Sequence, residues 1–197
     1  MTSYGIFEAI MIRFPFRERK ASQAAAHLLK RHGNEMHYLL LIKLLYLADR
    51  QALIERGLPI TGDRLVSMDW GPVLSEIKDL LTMEPETSGG GEAWREYVAE
   101  PVMYKVKGRK NNPEADELSE YEVALLDQID DQFGAIDRFE LSRWTHDLPE
   151  WRDPHGSSLP IDPADILEHA GKSWDSIAEI ADEAEQLGFI RKALTIR

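Results

Sequence analysis

The run from Met36 to Arg56 limits what this chain can fold into more than any other stretch. Its centre is Leu39-Leu40-Leu41-Ile42-Lys43-Leu44-Leu45-Tyr46-Leu47-Ala48-Asp49-Arg50, free of Gly and Pro and rich in good helix formers. Apolar residues fall on nearly every side of the first three turns, the pattern of a helix buried on several faces. From Asp49 onward the apolar stripe narrows to Ala48, Ala52 and Leu53, with Arg50, Glu55 and Arg56 outside it. Gly57 stands where a helix C′ residue belongs, and Pro59 blocks continuation. A membrane span needs about 20 apolar residues, and Lys43 interrupts this run, so a core helix over about 35–56 is expected.

The rest of the chain supplies enough material to cover such a helix. With 197 residues, 43% of them hydrophobic and 29% charged, it reads as one domain with room for an appendage. No cysteine is present, which removes disulfides, thiolate nucleophiles and cysteine-ligated zinc. That absence fits a cytoplasmic location, which is expected, and the N-terminus lacks the basic, apolar and small-residue layout of a signal peptide. Thirty-five acids against 23 bases give a formal charge of −12. Bases gather only weakly, over Arg13–Lys20 and Lys105–Lys110, which argues against direct nucleic-acid binding. The acidity serves solubility and equally suits a basic protein partner.

Periodicity and turn signals place the other elements. A helix-spaced apolar patch (Ile6, Phe7, Ile10, Met11, Phe14, Phe16) precedes a helix over Ala21–His32 closed by Gly33-Asn34. Leu65–Met68 is extended. Trp70-Gly71-Pro72-Val73 then opens a helix to Met83, with Pro72 in its first turn. Gly89-Gly90-Gly91 marks a loop without the Gly-Lys-Ser/Thr of a phosphate-binding motif. Alternation over Trp94–Ala99 and Val102–Lys107 predicts a small β-hairpin at about 94–107. Ser119 with Glu122 is a capping-box signature, and Asp137 with Glu140 repeats the spacing. Asp147–Pro160 is irregular, Asp162-Pro163 starts a short helix ended by Gly171, and Ser173–Leu187 forms the last one. The fold class is mainly α, a helical domain around one buried helix. Its expected parts are 1–20 as an N-terminal apolar segment, 21–171 as the domain, and 172–197 as a helical extension.

No catalytic constellation stands out. His27, His32 and His37 are five residues apart and so scatter around a helix. His146 and His155 flank the irregular passage with Asp147, Glu150 and Asp153, where a metal or acid–base site is conceivable. The competing reading has His146 at a helix C-terminus with Trp151 packed beneath it. Lys43 must snorkel, pair with a carboxylate such as Asp49 or Asp63, or shift its pKa.

Lys43–Arg50, Gly57-Leu58-Pro59-Ile60-Thr61-Gly62-Asp63, Trp70-Gly71-Pro72-Val73-Leu74-Ser75-Glu76 and Leu141–Trp151 together resemble the blocks of the SocA-like Panacea domain, over roughly Ala21–Gly171. The resemblance implies a mainly helical, often phage-associated antitoxin without enzymatic activity or cofactor. It would neutralise a cognate toxin protein by direct binding, with delivery to a AAA+ protease as a further property of the founding member. The family-motif positions are Lys43, Tyr46, Asp49, Gly71, Pro72, His146 and Trp151. Trp70, Trp94 and Trp144 are candidate contact residues, each also a candidate core residue. The segments before Ala21 and after Gly171 lie outside the resemblance, and are natural places to hold a particular toxin. An acid–base or metal-dependent enzyme using His146 and His155 is the alternative, as is a phage-associated regulatory protein without a toxin partner.

Overall fold

A computed structural model describes residues 12–82 and 91–195. Ile6, Phe7, Ile10 and Met11 of the N-terminal patch, and Gly89 and Gly90, lie outside the described residues. Among those described, the chain is mainly helical, with eight α-helices and two small antiparallel sheets.

The interior helix is α2 (Tyr38–Arg56), and eleven of its 19 residues are buried. Each fully buried leucine there contributes about 1.5–3 kcal/mol relative to exposure. Gly57 ends it in the left-handed conformation at φ 71°. Its start differs from the sequence reading. Met36 and His37 belong to strand β1 (Glu35–His37), which pairs with β4 (Lys105–Lys107) across Met36 and Val106. His37 then caps α2, its Nδ1 accepting from Leu39 N at 3.2 Å.

Helix α1 (Glu18–Arg31) buries Ala24, Ala25, Leu28 and Leu29 against α2 and against α5 (Glu120–Phe133). The predicted capping box is present. Ser119 Oγ accepts from Glu122 N at 3.3 Å, and Glu122 Oε2 accepts from Ser119 N at 2.8 Å. The same carboxylate takes a buried ion pair from Lys20 at 2.8 Å, joining the two helices. A second tie runs from Arg31 and His32 to Asp130, and His27 meets Asp127. The three evenly spaced histidines are thus spent on two helix contacts and a cap. Ser119→Ala removes one side of the box and should lower the thermal midpoint by about 2–4 °C, for a loss of about 1 kcal/mol. Differential scanning calorimetry measures this; an unchanged midpoint would show the cap to be idle.

Two predicted elements differ. Pro72 lies not in a helix but in β3 (Gly71–Leu74), antiparallel to β2 (Leu65–Met68). In the order β3-β2-β5, with β5 at Leu159–Pro160, β3 is an edge strand, where proline is tolerated. Helix α3 (Ser75–Thr82) starts later because its cap is remote. Asp63 accepts from Glu76 N and Ile77 N, both at 2.9 Å. The first half of the predicted 94–107 hairpin is helix α4 (Glu92–Tyr97). Its buried residues Trp94, Tyr97 and Val98 have helical spacing, and the chain reverses only beyond it, over Val98–Gly108. Helix α6 (Arg138–Trp144) is capped by Asp137. The short 3₁₀ turn Thr145–Asp147 follows, then α7 (Pro163–His169), capped by Asp162, and α8 (Trp174–Thr195).

Candidate functional site

Lys43, Tyr46 and Asp49 of α2 are buried, and their partners come from β3, the loop before β2 and the 142–152 passage. Lys43 is fully buried, and its Nζ donates to the Pro72 carbonyl at 2.7 Å. Neither Asp49 nor Asp63, the carboxylates anticipated from sequence, reaches it. Asp49 accepts from Thr61 N at 2.9 Å and from the Thr61 hydroxyl, while Asp63 caps α3. With no counter-charge among the described residues, desolvation lowers the Lys43 pKa to about 7. Burial likewise raises Asp49 to about 7 and Asp63 to about 6 against their hydrogen bonds.

Gly71 lets this cluster close. It has φ 86°, and a Cβ there would overlap Thr145 Oγ1, come within 2.9 Å of Lys43 Nζ and sit 3.2 Å from His146 Cδ2. Thr145 Oγ1 donates to Ser142 O at 2.7 Å, and Ser142 Oγ donates to Trp70 O at 2.6 Å, which fastens the turn to α6. His146 stacks on Trp151 with centroids 4.1 Å apart and rings 15° from parallel. Trp151 Nε1 donates to Met68 O at 3.2 Å. His146 Nε2 is shielded and has no hydrogen-bond partner among the described residues. Burial first, then the Lys43 charge, lower the His146 pKa.

One turn further along α2, Tyr46 and Arg50 share Glu150. Tyr46 Oη donates at 2.8 Å, Arg50 Nε at 2.6 Å and Arg50 Nη2 at 3.2 Å. Burial and the adjacent carboxylate keep the Tyr46 phenol protonated well above its usual range. Of the seven positions the resemblance pointed to, six therefore gather at one junction of α2, β3 and the 145–151 passage, and Asp49 serves a neighbouring loop. Sequence reasoning did not give Glu150, Arg50, Ser142 and Thr145 their roles. The i, i+4 spacing of Tyr46 and Arg50 was the available signal for a shared acceptor.

The residues of the acid–base and metal reading have these partners here. The His155 side chain is exposed and pairs with Asp153, and Glu150 is taken up by Tyr46 and Arg50. Among the described residues no three potential metal ligands come together. Lys43 and His146 approach one another around Gly71, and the lysine is fully buried. Trp94 is 3% exposed, so its candidacy as a contact residue is withdrawn: it is core. Trp70 and Trp144 are exposed, the latter against Phe133 with centroids 4.9 Å apart.

Residues 41–152 match the family described as antitoxin SocA-like, Panacea domain. The chain belongs to the SocA-like Panacea family. No curated protein and no solved structure matches it. The matched span of this Panacea domain contains every residue of the junction just described. Helices α1, α7 and α8 lie outside the match, yet α1 and α7 pack directly on α2. No helix among the described residues is long and apolar enough to cross a membrane.

Proposed function

We propose that this Panacea protein is an antitoxin that neutralises a cognate toxin protein in the cytoplasm by binding it directly. The observation that carries this reading is the family match across the whole polar junction. The junction supports it physically, because its charged groups are turned inward and bonded to the chain itself. Such an arrangement fixes the shape of a scaffold and leaves recognition to the surface. A formal charge of −12 speeds encounter with a basic partner and disfavours nucleic acid as the direct target. Delivery of the bound toxin to a AAA+ protease is a further step that this reading accommodates.

The test is co-expression with each reading frame adjacent to the gene. One neighbour expressed alone is expected to arrest growth; this chain is expected to restore it and to co-purify with that neighbour's product. Absence of both toxicity and complex formation for every neighbour would remove the antitoxin reading. Faster turnover of the toxin when the chain is present would separate proteolytic delivery from plain sequestration.

A further inference from the structure

The reversal after α4 ends in a tight turn whose tip is chemically unusual. Val102 N donates to Lys105 O at 2.8 Å and Lys105 N to Val102 O at 3.0 Å, leaving Met103 and Tyr104 as the central pair. Their φ values are 49° and 66°, both in the left-handed region. That is the type I′ arrangement, which Asn-Gly adopts readily and bulky L residues adopt under strain. Burial does not offset the strain: Met103 is 88% exposed and Tyr104 66%. Strained backbone that presents large apolar side chains to solvent is a mark of a working surface.

The turn is held in place and extended by other rings. Tyr38 N donates to Tyr104 O at 2.9 Å. The Tyr104 ring stacks on His37 at 5.9 Å and 7°, and His37 on Tyr38 at 5.3 Å. Arg138 and Asp137 act electrostatically on the His37 ring, and the Arg138 guanidinium lies 4.4 Å over Phe139. Phe139 meets Trp70 at 5.8 Å, and Trp70 is 60% exposed. Met103, Tyr104, His37, Arg138, Phe139 and Trp70 thus follow one another across the surface at the N-terminal end of α2.

We infer that this aromatic ridge is the surface that grips the toxin, a basic protein offering an apolar cleft to the Met103–Tyr104 tip. The inference rests on the antitoxin reading above. Aromatic, Met and Arg side chains are the residue types enriched where protein partners bury surface. Charge selects the occupant. Asp69, Asp137 and Glu140, close to Trp70 and Phe139 in the chain, are exposed, while Arg138 and Lys105 act on His37 from the same ridge. The preference for a basic occupant therefore comes from the net charge of the whole chain. Two copies of a chain carrying −12 repel one another, whereas a basic chain is drawn in.

The experiment uses the full-length chain and the product of the adjacent reading frame that arrests growth. Met103→Asn and Trp70→Ala are compared with Phe189→Ser, on the exposed part of α8. By titration calorimetry both ridge variants are expected to bind at least tenfold more weakly than wild type, and Phe189→Ser to bind as wild type. Asn adopts left-handed backbone more easily than Met, so Met103→Asn should lose binding with an unchanged or higher thermal midpoint. A midpoint falling in step with affinity assigns the turn a structural role and overturns the inference. So do ridge variants binding within twofold of wild type, loss of the complex in Phe189→Ser alone, or a wild-type dimer that the ridge variants dissociate. A wild-type chain that forms no complex removes the antitoxin reading and this surface with it.

Discussion

Glu150→Ala is expected to lower the unfolding free energy by about 3–5 kcal/mol, one of the two largest effects foreseen for this chain. The Glu150 side chain is fully buried and accepts three hydrogen bonds, one from the buried Tyr46 hydroxyl and two from Arg50, whose side chain is 17% exposed. Removing the carboxylate leaves a shielded phenol and a mostly shielded guanidinium without an acceptor. An uncompensated buried charge costs far more than a surface pair yields, which is about 0–1 kcal/mol. Glu150→Gln keeps one acceptor oxygen and the shape of the side chain, so its loss should fall between that of Ala and zero. Urea unfolding measures both, and a loss below 1 kcal/mol for Glu150→Ala would mean that Arg50 and Tyr46 find water. A cycle combining Tyr46→Phe with Glu150→Ala, each of which removes the bond between them, is expected to give a coupling of about 1.5–3 kcal/mol for a charged acceptor. Glu150 precedes Trp151, so its bonds to α2 also help to hold the indole under His146. Weakening them should loosen the whole junction and not one contact alone.

What the sequence discloses here is what is decided within a few residues. The interior character of Leu39–Ala48, the left-handed stop at Gly57, the Ser119–Glu122 box and the Asp162-Pro163 start are local in cause, and each is seen in the fold. Where a distant segment supplies the deciding partner, the reading fails. Met36 leaves the helix because β4, about 70 residues on, offers it a strand to pair with. Pro72 reads as a helix start until β2 claims its strand, and the true cap of α3 is Asp63 from an earlier loop. Trp94 satisfies strand alternation and helical spacing equally, and burial of Tyr97 beside it decides for the helix. The site follows the same rule. The resemblance to the family is visible in four short blocks. Which atom Lys43 touches is not, because a carbonyl acceptor carries no side-chain signature, and the carboxylates that seemed its natural partners are committed to Thr61 and to α3.

That commitment leads to the second large effect, a stability that rises with alkalinity through a single side chain. Folded, Lys43 titrates near 7 because burial penalises its ammonium; unfolded, it takes the ordinary lysine value of 10.5. Between those two values the unfolded chain binds more protons than the folded one, so stability increases with pH across the window. The slope approaches about 1.4 kcal/mol per pH unit, which amounts to about 2 kcal/mol between pH 7.5 and 9. Asp49 and Asp63 act in the opposite sense. Their folded values near 7 and 6 exceed the unfolded 3.8, so their contribution falls as pH rises through the acid range and is level above it. Lys43→Met, similar in volume and unable to ionise, should abolish the alkaline rise and leave the acid limb as it was. The Pro72 carbonyl loses its donor in that variant, at a cost of about 1–3 kcal/mol. Relief of the buried ammonium opposes this cost most strongly at and below neutral pH. Urea midpoints of the two proteins at pH 7 and pH 9 therefore give the answer as a difference, in which the titrating groups that do not feel Lys43 cancel; His146, which does, is the exception. Wild type should gain about 2 kcal/mol on Lys43→Met over that interval. Parallel curves would mean that Lys43 stays charged inside the fold, with a counter-ion that the Pro72 carbonyl alone does not provide.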